Sequence, residues 1–390
     1  MVLLLLSVIY LSFISLGLPD SLLGAAWPTM VGDLNVPISW AGIISMIIAA
    51  GTIVSSLLSD KITRRLGAGL VTAISVLTTA LALLGFSLSK SFIALCILSV
   101  PYGLGAGAVD AALNNYVALH YSSRHMSWLH CFWGLGASIS PYIMGFAISF
   151  GKGWQSGYGA VSVIQLVLTV IIFISLPLWK RKTQANVGDE SYEAPIGLRD
   201  AIKIKGVKFI LPAFLCFCAF ESTAGLWASS YLVEYRGVDT ETAAMFASLF
   251  YIGITLGRFA CGFFADKIGD KNLIRYGCGV MLLAILTIIL PFKSDIPALV
   301  GLVVAGVGSA PVYPSIIHST PANFGKENSH AIVGIQMACA YTGSALIPPA
   351  FGLIADYVNI AIYPFYLAFF VLSLLILTEL VNRIATANPN

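Results

Sequence analysis

The chain has 390 residues, of which 58% are hydrophobic and 10% charged, with 21 Lys and Arg against 18 Asp and Glu and a net charge of +3. A soluble domain carries roughly 25% charged residues, so the composition excludes a soluble globular protein, and with no basic arm nothing suggests a nucleic-acid partner. The seven cysteines (Cys96, Cys131, Cys216, Cys218, Cys261, Cys278 and Cys339) lie in apolar runs without ligand spacing, which excludes a disulfide scaffold or a metal loop and reads as buried free thiols.

Apolar runs bounded by charges, Gly and Pro predict helices over 3–27, 40–58, 68–88, 91–119, 127–150 and 156–179. The polar stretch 180–207 then reads as a linker with room for a short amphipathic helix, and six more helices are predicted over 208–232, 243–264, 273–292, 295–317, 329–355 and 360–382. Such lengths suit a hydrocarbon core about 30 Å thick. Continuous runs of this kind exclude a transmembrane barrel, whose strands alternate apolar and polar residues over about 10 positions. The first run lacks a basic leader segment and continues past about 20 residues, so it is expected to be retained as a helix rather than cleaved as a signal. The fold class expected is therefore an all-α membrane protein with twelve transmembrane helices in two six-helix halves, 1–179 and 208–390, joined by the linker 180–207.

Sixteen of the 21 basic residues fall on the side of the membrane that holds both termini and the linker. Lys90, Lys152, Arg236 and Lys293 fall on the other, and Arg258 lies inside a span. The positive-inside rule then predicts cytoplasmic termini.

The second half restates the first. Asp20 to Trp27 (DSLLGAAW) answers to Glu221 to Trp227 (ESTAGLW), and Leu57 to Gly67 (LLSDKITRRLG) to Phe263 to Leu273 (FFADKIGDKNL). Pro101 to Asp110 matches Ala305 to Tyr313, which puts Tyr313 in the slot of Asp110, and Gly136, Pro141 and Gly145 match Gly343, Pro348 and Gly352. Four ordered matches mark an internal repeat. Asp60, Lys61, Asp266 and Lys267 are expected to form charged turns that latch neighbouring helix ends in one state. Gly103, Gly105 and Gly107, with Gly306 and Gly308, are expected to permit close helix approach.

This layout resembles the major facilitator superfamily of secondary transporters, a fold of two repeat-related halves. The family's cytoplasmic turn has the pattern G-x-x-x-D-(R/K)-x-G-R-(R/K). Gly262, Asp266, Lys267, Gly269 and Lys271 fit it, with Asp270 a departure, and the first copy departs further, with Ser56 and Thr63 where the family has Gly. The resemblance implies alternating access, a monomer and no cofactor.

A carboxylate in the hydrocarbon region needs protonation, a partner or water. Asp20, Asp110 and Glu221 are such acids, and Arg258 is a candidate counter-ion that is also grouped with the latch residues. Asn114 follows Asp110 by one helical turn and shares its face, and Asn115 is adjacent. Gly17 and Pro19 are expected to loosen the first helix beside Asp20. The first and fourth helices are similar to those of the fucose permease branch, sugar:proton symporters whose relatives include sodium-coupled glucose carriers. That resemblance implies that Asp110 meets sugar hydroxyls and proton, with Asp20 tuning the coupling.

Amides and aromatic rings suit a sugar, and Trp27, His130, Trp133, Trp227, Tyr313, Gln336 and Tyr341 join Asn114 and Asn115 as candidate ligand contacts. His130 could also carry protons. His120, His125, His318 and His330 fall near helix ends and are expected to have no special role. No metal-ligand spacing, phosphate loop or nucleophile elbow is present, which argues against an enzyme or an ATP-driven pump. The expected function is proton-coupled symport of a small polar solute, a monosaccharide before other classes. The alternatives are proton-driven efflux of drugs or metabolites and a sodium-coupled sugar symporter. The expected partners are the solute and the bilayer, and the expected home is a bacterial plasma membrane.

Overall fold

The computed structural model describes residues 2–37, 40–186, 197–238, 240–290 and 294–387. Twelve of its segments are long and apolar enough to cross a membrane. The chain is all-α and divides into two compact units, Met1–Tyr116 with Phe132–Ile196, and Val117–Cys131 with Gly197–Asn390. Residues 187–196 of the expected linker lie outside the described residues.

The helices through the first six spans are α1 (Val2–Asp20), α2 (Leu22–Leu34), α3 (Ala41–Leu66), α4 (Ala68–Leu88), α5 (Phe92–His120), α6 (Ser123–Ser149) and α7 (Gly153–Asn186). A short helix α8 (Leu198–Lys203) follows, and then α9 (Val207–Glu234), α10 (Thr240–Ile268), α11 (Asp270–Ile289), α12 (Ile296–Ser309), α13 (Val312–His318), α14 (Thr320–Phe324), α15 (Lys326–Tyr357) and α16 (Tyr363–Ala387). The spans expected over 3–27 and 295–317 each prove to be broken helices. Proline causes both breaks, because it has no N–H to give to the residue four back. Pro19 leaves the Ser15 carbonyl without its helical donor, and the buried Gln165 of α7 supplies one across the unit at 2.6 Å. At the break itself Ser21 donates to the Ala137 carbonyl of α6 at 2.6 Å. Pro311 stands between α12 and α13, where the Val307 carbonyl instead takes the Ala310 N–H at 3.3 Å.

Within the first unit, α1 and α6 meet backbone to backbone. Gly17 lies against the Trp133 carbonyl and Gly136 against the Ile14 carbonyl, so a Cβ at either position would collide with main chain. In the second unit Gly343 of α15 lies on the Leu215 carbonyl of α9. Since Gly343 is the repeat counterpart of Gly136, the two units bury the same crossing, and the internal symmetry of the sequence is a symmetry of packing. Small residues at such crossings supply the close contact that associates helices in lipid.

The first charged turn departs from expectation. Asp60 and Lys61 sit inside α3, which runs on to Leu66 and stops at Gly67 with φ 79°. In the second copy α10 stops at Gly269 with φ 78°, three residues after Asp266. Thr63 stands where the family has its turn glycine, so the helix continues about one turn to the next glycine, the residue that takes positive φ without strain. Asp60 is buried there and takes Arg64 one turn on, Nε to Oδ1 2.8 Å. Ser56, in the other departed position, donates to the Gly107 carbonyl of α5 at 3.2 Å.

Candidate functional site

The first unit gathers Asp20 and Asp110. The break after α1 presents Asp20 beside α6, where the indole N–H of Trp133 donates to Oδ2 at 2.8 Å. That contact follows from the Gly17–Gly136 crossing, which brings the Trp133 backbone onto α1 three residues before the acid. Asp110 is buried in α5 and accepts the Asn114 side-chain N–H at 2.7 Å, the expected one-turn pair on one helical face. The two carboxylates lie within electrostatic reach of each other, and Tyr102 lies within reach of Asp20. Asn115 is buried in the same helix, and Trp27 is buried in α2.

The second unit gathers a different set. Arg258 of α10, 3% exposed, meets Glu221 of α9 with Nη2 to Oε2 at 3.1 Å. The guanidinium carbon stands 6.0 Å from the ring centroid of Tyr313 in α13, within range for a cation–π contact. His130 packs edge-on against the same tyrosine with centroids 4.6 Å apart, and Phe214 and Phe217 close around it at 4.7 and 6.1 Å. Arg258 thus serves as the expected counter-ion, to the membrane-embedded acid Glu221, and does not join the turn acids Asp60 or Asp266 with which it was also grouped. His130 and Trp133, both candidate ligand contacts and three residues apart in α6, fall in different units. Trp227 gives its indole N–H to the Pro348 carbonyl at 2.9 Å and packs on Phe351, a structural contact between α9 and α15. Gln336 is fully buried and accepts from Thr320 at 3.0 Å, while Tyr341 is half-buried in α15.

A third cluster lies at the turn between α10 and α11. Asp266 accepts from the Ser122 hydroxyl and the Arg124 backbone N–H, both at 3.1 Å, and pairs with the Arg124 side chain at 3.4 Å. Asp270 accepts from the Ser123 hydroxyl at 2.6 Å and lies 2.6 Å from Nδ1 of His318. Nε2 of His318 is 3.0 Å from the Tyr121 carbonyl. Both ring nitrogens face acceptors, so an imidazolium, which donates from both, fits the site best. Burial pushes the Tyr121 phenol up to about 12, which keeps it neutral beside these charges. His318 therefore has a defined partner where none was expected, and the Asp270 departure from the family pattern is what provides it. Lys61 and Lys267 are exposed. Among the described residues no three His, Cys, Asp or Glu side chains gather as a metal site.

Sequence reasoning missed Gln165 and the Asp270–His318 pair. Pro19 was the available signal for the first, since a proline in a buried helix orphans a carbonyl that some donor must satisfy. Nothing local signals the second, which joins residues 48 apart.

The family model of the Major Facilitator Superfamily matches residues 9–348 and, in an overlapping second match, 248–386. The chain belongs to this superfamily. It is 24% identical over 358 residues to the cis,cis-muconate transport protein of Acinetobacter baylyi, across 86% of this chain and 83% of that one. It is 24% identical over 266 residues to the hexuronate transporter of Bacillus subtilis, across 65% of this chain and 62% of that one. In structure it is similar to FucP, solved in an outward conformation, with a TM-score of 0.80 and 15% identity over 96% of this chain and 98% of that one. A second FucP structure is described as the fucose:proton symporter of E. coli. The likeness to FucP shows the fold. As a superfamily member the chain is a multi-pass membrane protein that carries a small solute by alternating access.

Proposed function

We propose that the protein is a proton-coupled symporter of a small hydroxylated solute of the monosaccharide class, with Asp110 as the coupling carboxylate and Asp20 as its partner. The observation that carries this reading is that two carboxylates on spanning helices of one unit, Asp20 and Asp110, each accept from a neutral donor, the Trp133 indole and the Asn114 amide. Such a pair is a place where a proton can bind and leave, and a bound proton lets the loaded carrier pass its occluded state without a bare charge in lipid. A carboxylate beside an amide also suits Na⁺, so sodium coupling is the second reading. The relatives named for muconate and hexuronate and the fucose:proton symporter support a small oxygen-rich solute.

The contacts of Asp266 with Arg124 and of Asp270 with His318 act as the conformational latch in this reading. The Asp266 contact ties the α5–α6 turn to the α10–α11 turn, and the Asp270 contact ties the start of α11 to the end of α13. The distribution of basic residues supports cytoplasmic termini, and a bacterial plasma membrane is the proposed home. The test is a monosaccharide panel on purified protein, with proton uptake into proteoliposomes recorded for each binder in sodium-free buffer. Uptake by wild type and its loss in Asp110→Asn are expected. Solute-driven accumulation that needs sodium and moves no proton would assign the carboxylate to sodium instead.

A further inference from the structure

We infer that Arg258 receives a carboxylate of the solute, in exchange with Glu221, so that the protein carries a hydroxylated carboxylate of the sugar-acid kind rather than a neutral sugar. The inference rests on the symporter reading above and narrows its substrate class.

A guanidinium is charged at any physiological pH and cannot shed that charge by deprotonation. Buried in a spanning helix, it must face an anion or water throughout the transport cycle. In the structure that anion is Glu221, and the two partners differ in access: the Glu221 side chain is 21% exposed and that of Arg258 4%. The contact is end-on, through Nη2 and Oε2 at 3.1 Å, and not the two-pronged fork that makes an arginine pair hardest to displace. A solute carboxylate offers the guanidinium the same chemistry in the same plane.

The surroundings fit a ring that carries such a group. Tyr313 lies beside the guanidinium, His130 packs on the edge of Tyr313, and Tyr251 lies within electrostatic reach of Glu221. A cation flanked by aromatic faces and hydroxyls binds a carboxylate at one end and the C–H face and hydroxyls of a sugar ring at the other. The exchange also couples to protons. Once a second carboxylate sits on Arg258, two like charges share one cation, and the carboxylate that leaves the guanidinium takes up a proton. The empty site is Glu221⁻ with Arg258⁺. The loaded site is protonated Glu221 with Arg258⁺ and the solute anion, so one proton and one anion enter together and the charge of the site is unchanged.

The test uses the purified full chain with D-glucuronate and D-glucose, which differ at C6 as carboxylate and alcohol. D-glucuronate is expected to bind at least tenfold more tightly than D-glucose and to take up a proton on binding. Arg258→Gln is expected to lose that preference. Glu221→Gln is expected to keep glucuronate binding but to take up one proton fewer than wild type and to lose the weakening of binding at higher pH. Thermal unfolding of each variant in detergent shows whether it is folded, and the wild-type preference is read without any variant. Equal binding of the two probes by wild type, or a preference that survives Arg258→Gln, overturns the inference. Glucose-driven proton uptake abolished by Asp110→Asn would, in that case, leave the symporter reading standing, whereas no proton movement with either probe overturns both.

Discussion

Asp20 and Glu221 occupy matching places in the repeat, yet one accepts from a neutral indole and the other from an arginine. The repeat thus conserves the position of an acid and varies its charge balance. At this scale Asp110→Asn is expected to abolish proton-driven accumulation while keeping solute exchange, because the amide mimics the protonated acid; counterflow beside net uptake measures both. Gln165→Leu leaves the Ser15 carbonyl without the donor that Pro19 makes necessary. A buried polar group stripped of its hydrogen bond costs about 1–3 kcal/mol, so the thermal midpoint in detergent should fall while the helices remain. An unchanged midpoint would show that water serves the carbonyl equally well.

At the scale of elements, two glycines decide where α1 presents Asp20. Gly136→Leu drives a side chain into the α1 backbone, and overpacking of this kind costs about 1–3 kcal/mol or more. Nothing lies within 4 Å of a Cβ at Gly145 in the same helix, so Gly145→Leu is the matched control. The first variant should unfold at lower temperature and lose proton coupling, while the control resembles wild type in unfolding temperature. The extended end of α3 gives a second expectation. Thr63→Gly restores the family's turn residue and should speed amide hydrogen exchange over residues 64–67; unaltered protection would mean that Gly67 alone sets the helix end. Element boundaries were legible in the sequence wherever charge or glycine met an apolar run, as at 68–88, which the structure reproduces. The break at Pro311 was not, because hydropathy carries straight through a kinked span, whereas Gly17 and Pro19 marked the first helix as loosened beside Asp20. The Asp60 turn was misread because a matched motif suggested a matched backbone, and one Thr-for-Gly exchange lengthened the helix.

For the molecule as a whole, the twelve spans and the repeat followed from composition and periodicity, since lipid leaves a helical bundle few alternatives. The site was only half legible. A carboxylate on a spanning helix announces itself by its cost, so Asp20, Asp110 and Glu221 stood out, and Asn114 followed from helical spacing. Partnership across helices did not follow: Arg258 with Glu221, Trp133 with Asp20 and His318 with Asp270 each depend on crossings that only packing defines. The division of the chain adds a feature that no span prediction contained, since residues Val117–Cys131 group with the second unit. Within that unit Asp266 and Asp270 hold residues 122–124. Asp266→Asn combined with Asp270→Asn should free the α5–α6 turn, seen as faster amide exchange over residues 120–126; retained protection would assign the tie to the Trp128–Phe259 contact instead.

The central claim is that a membrane-embedded carboxylate couples solute to protons, and one measurement tests it most directly. Wild-type protein and Asp110→Asn are reconstituted in proteoliposomes with an internal pH indicator, and a solute that binds the purified protein is added outside in sodium-free buffer. Internal acidification by wild type, with none in Asp110→Asn although the variant still exchanges solute, is the predicted result. Equal acidification by both proteins, or solute accumulation with no proton movement, would contradict it.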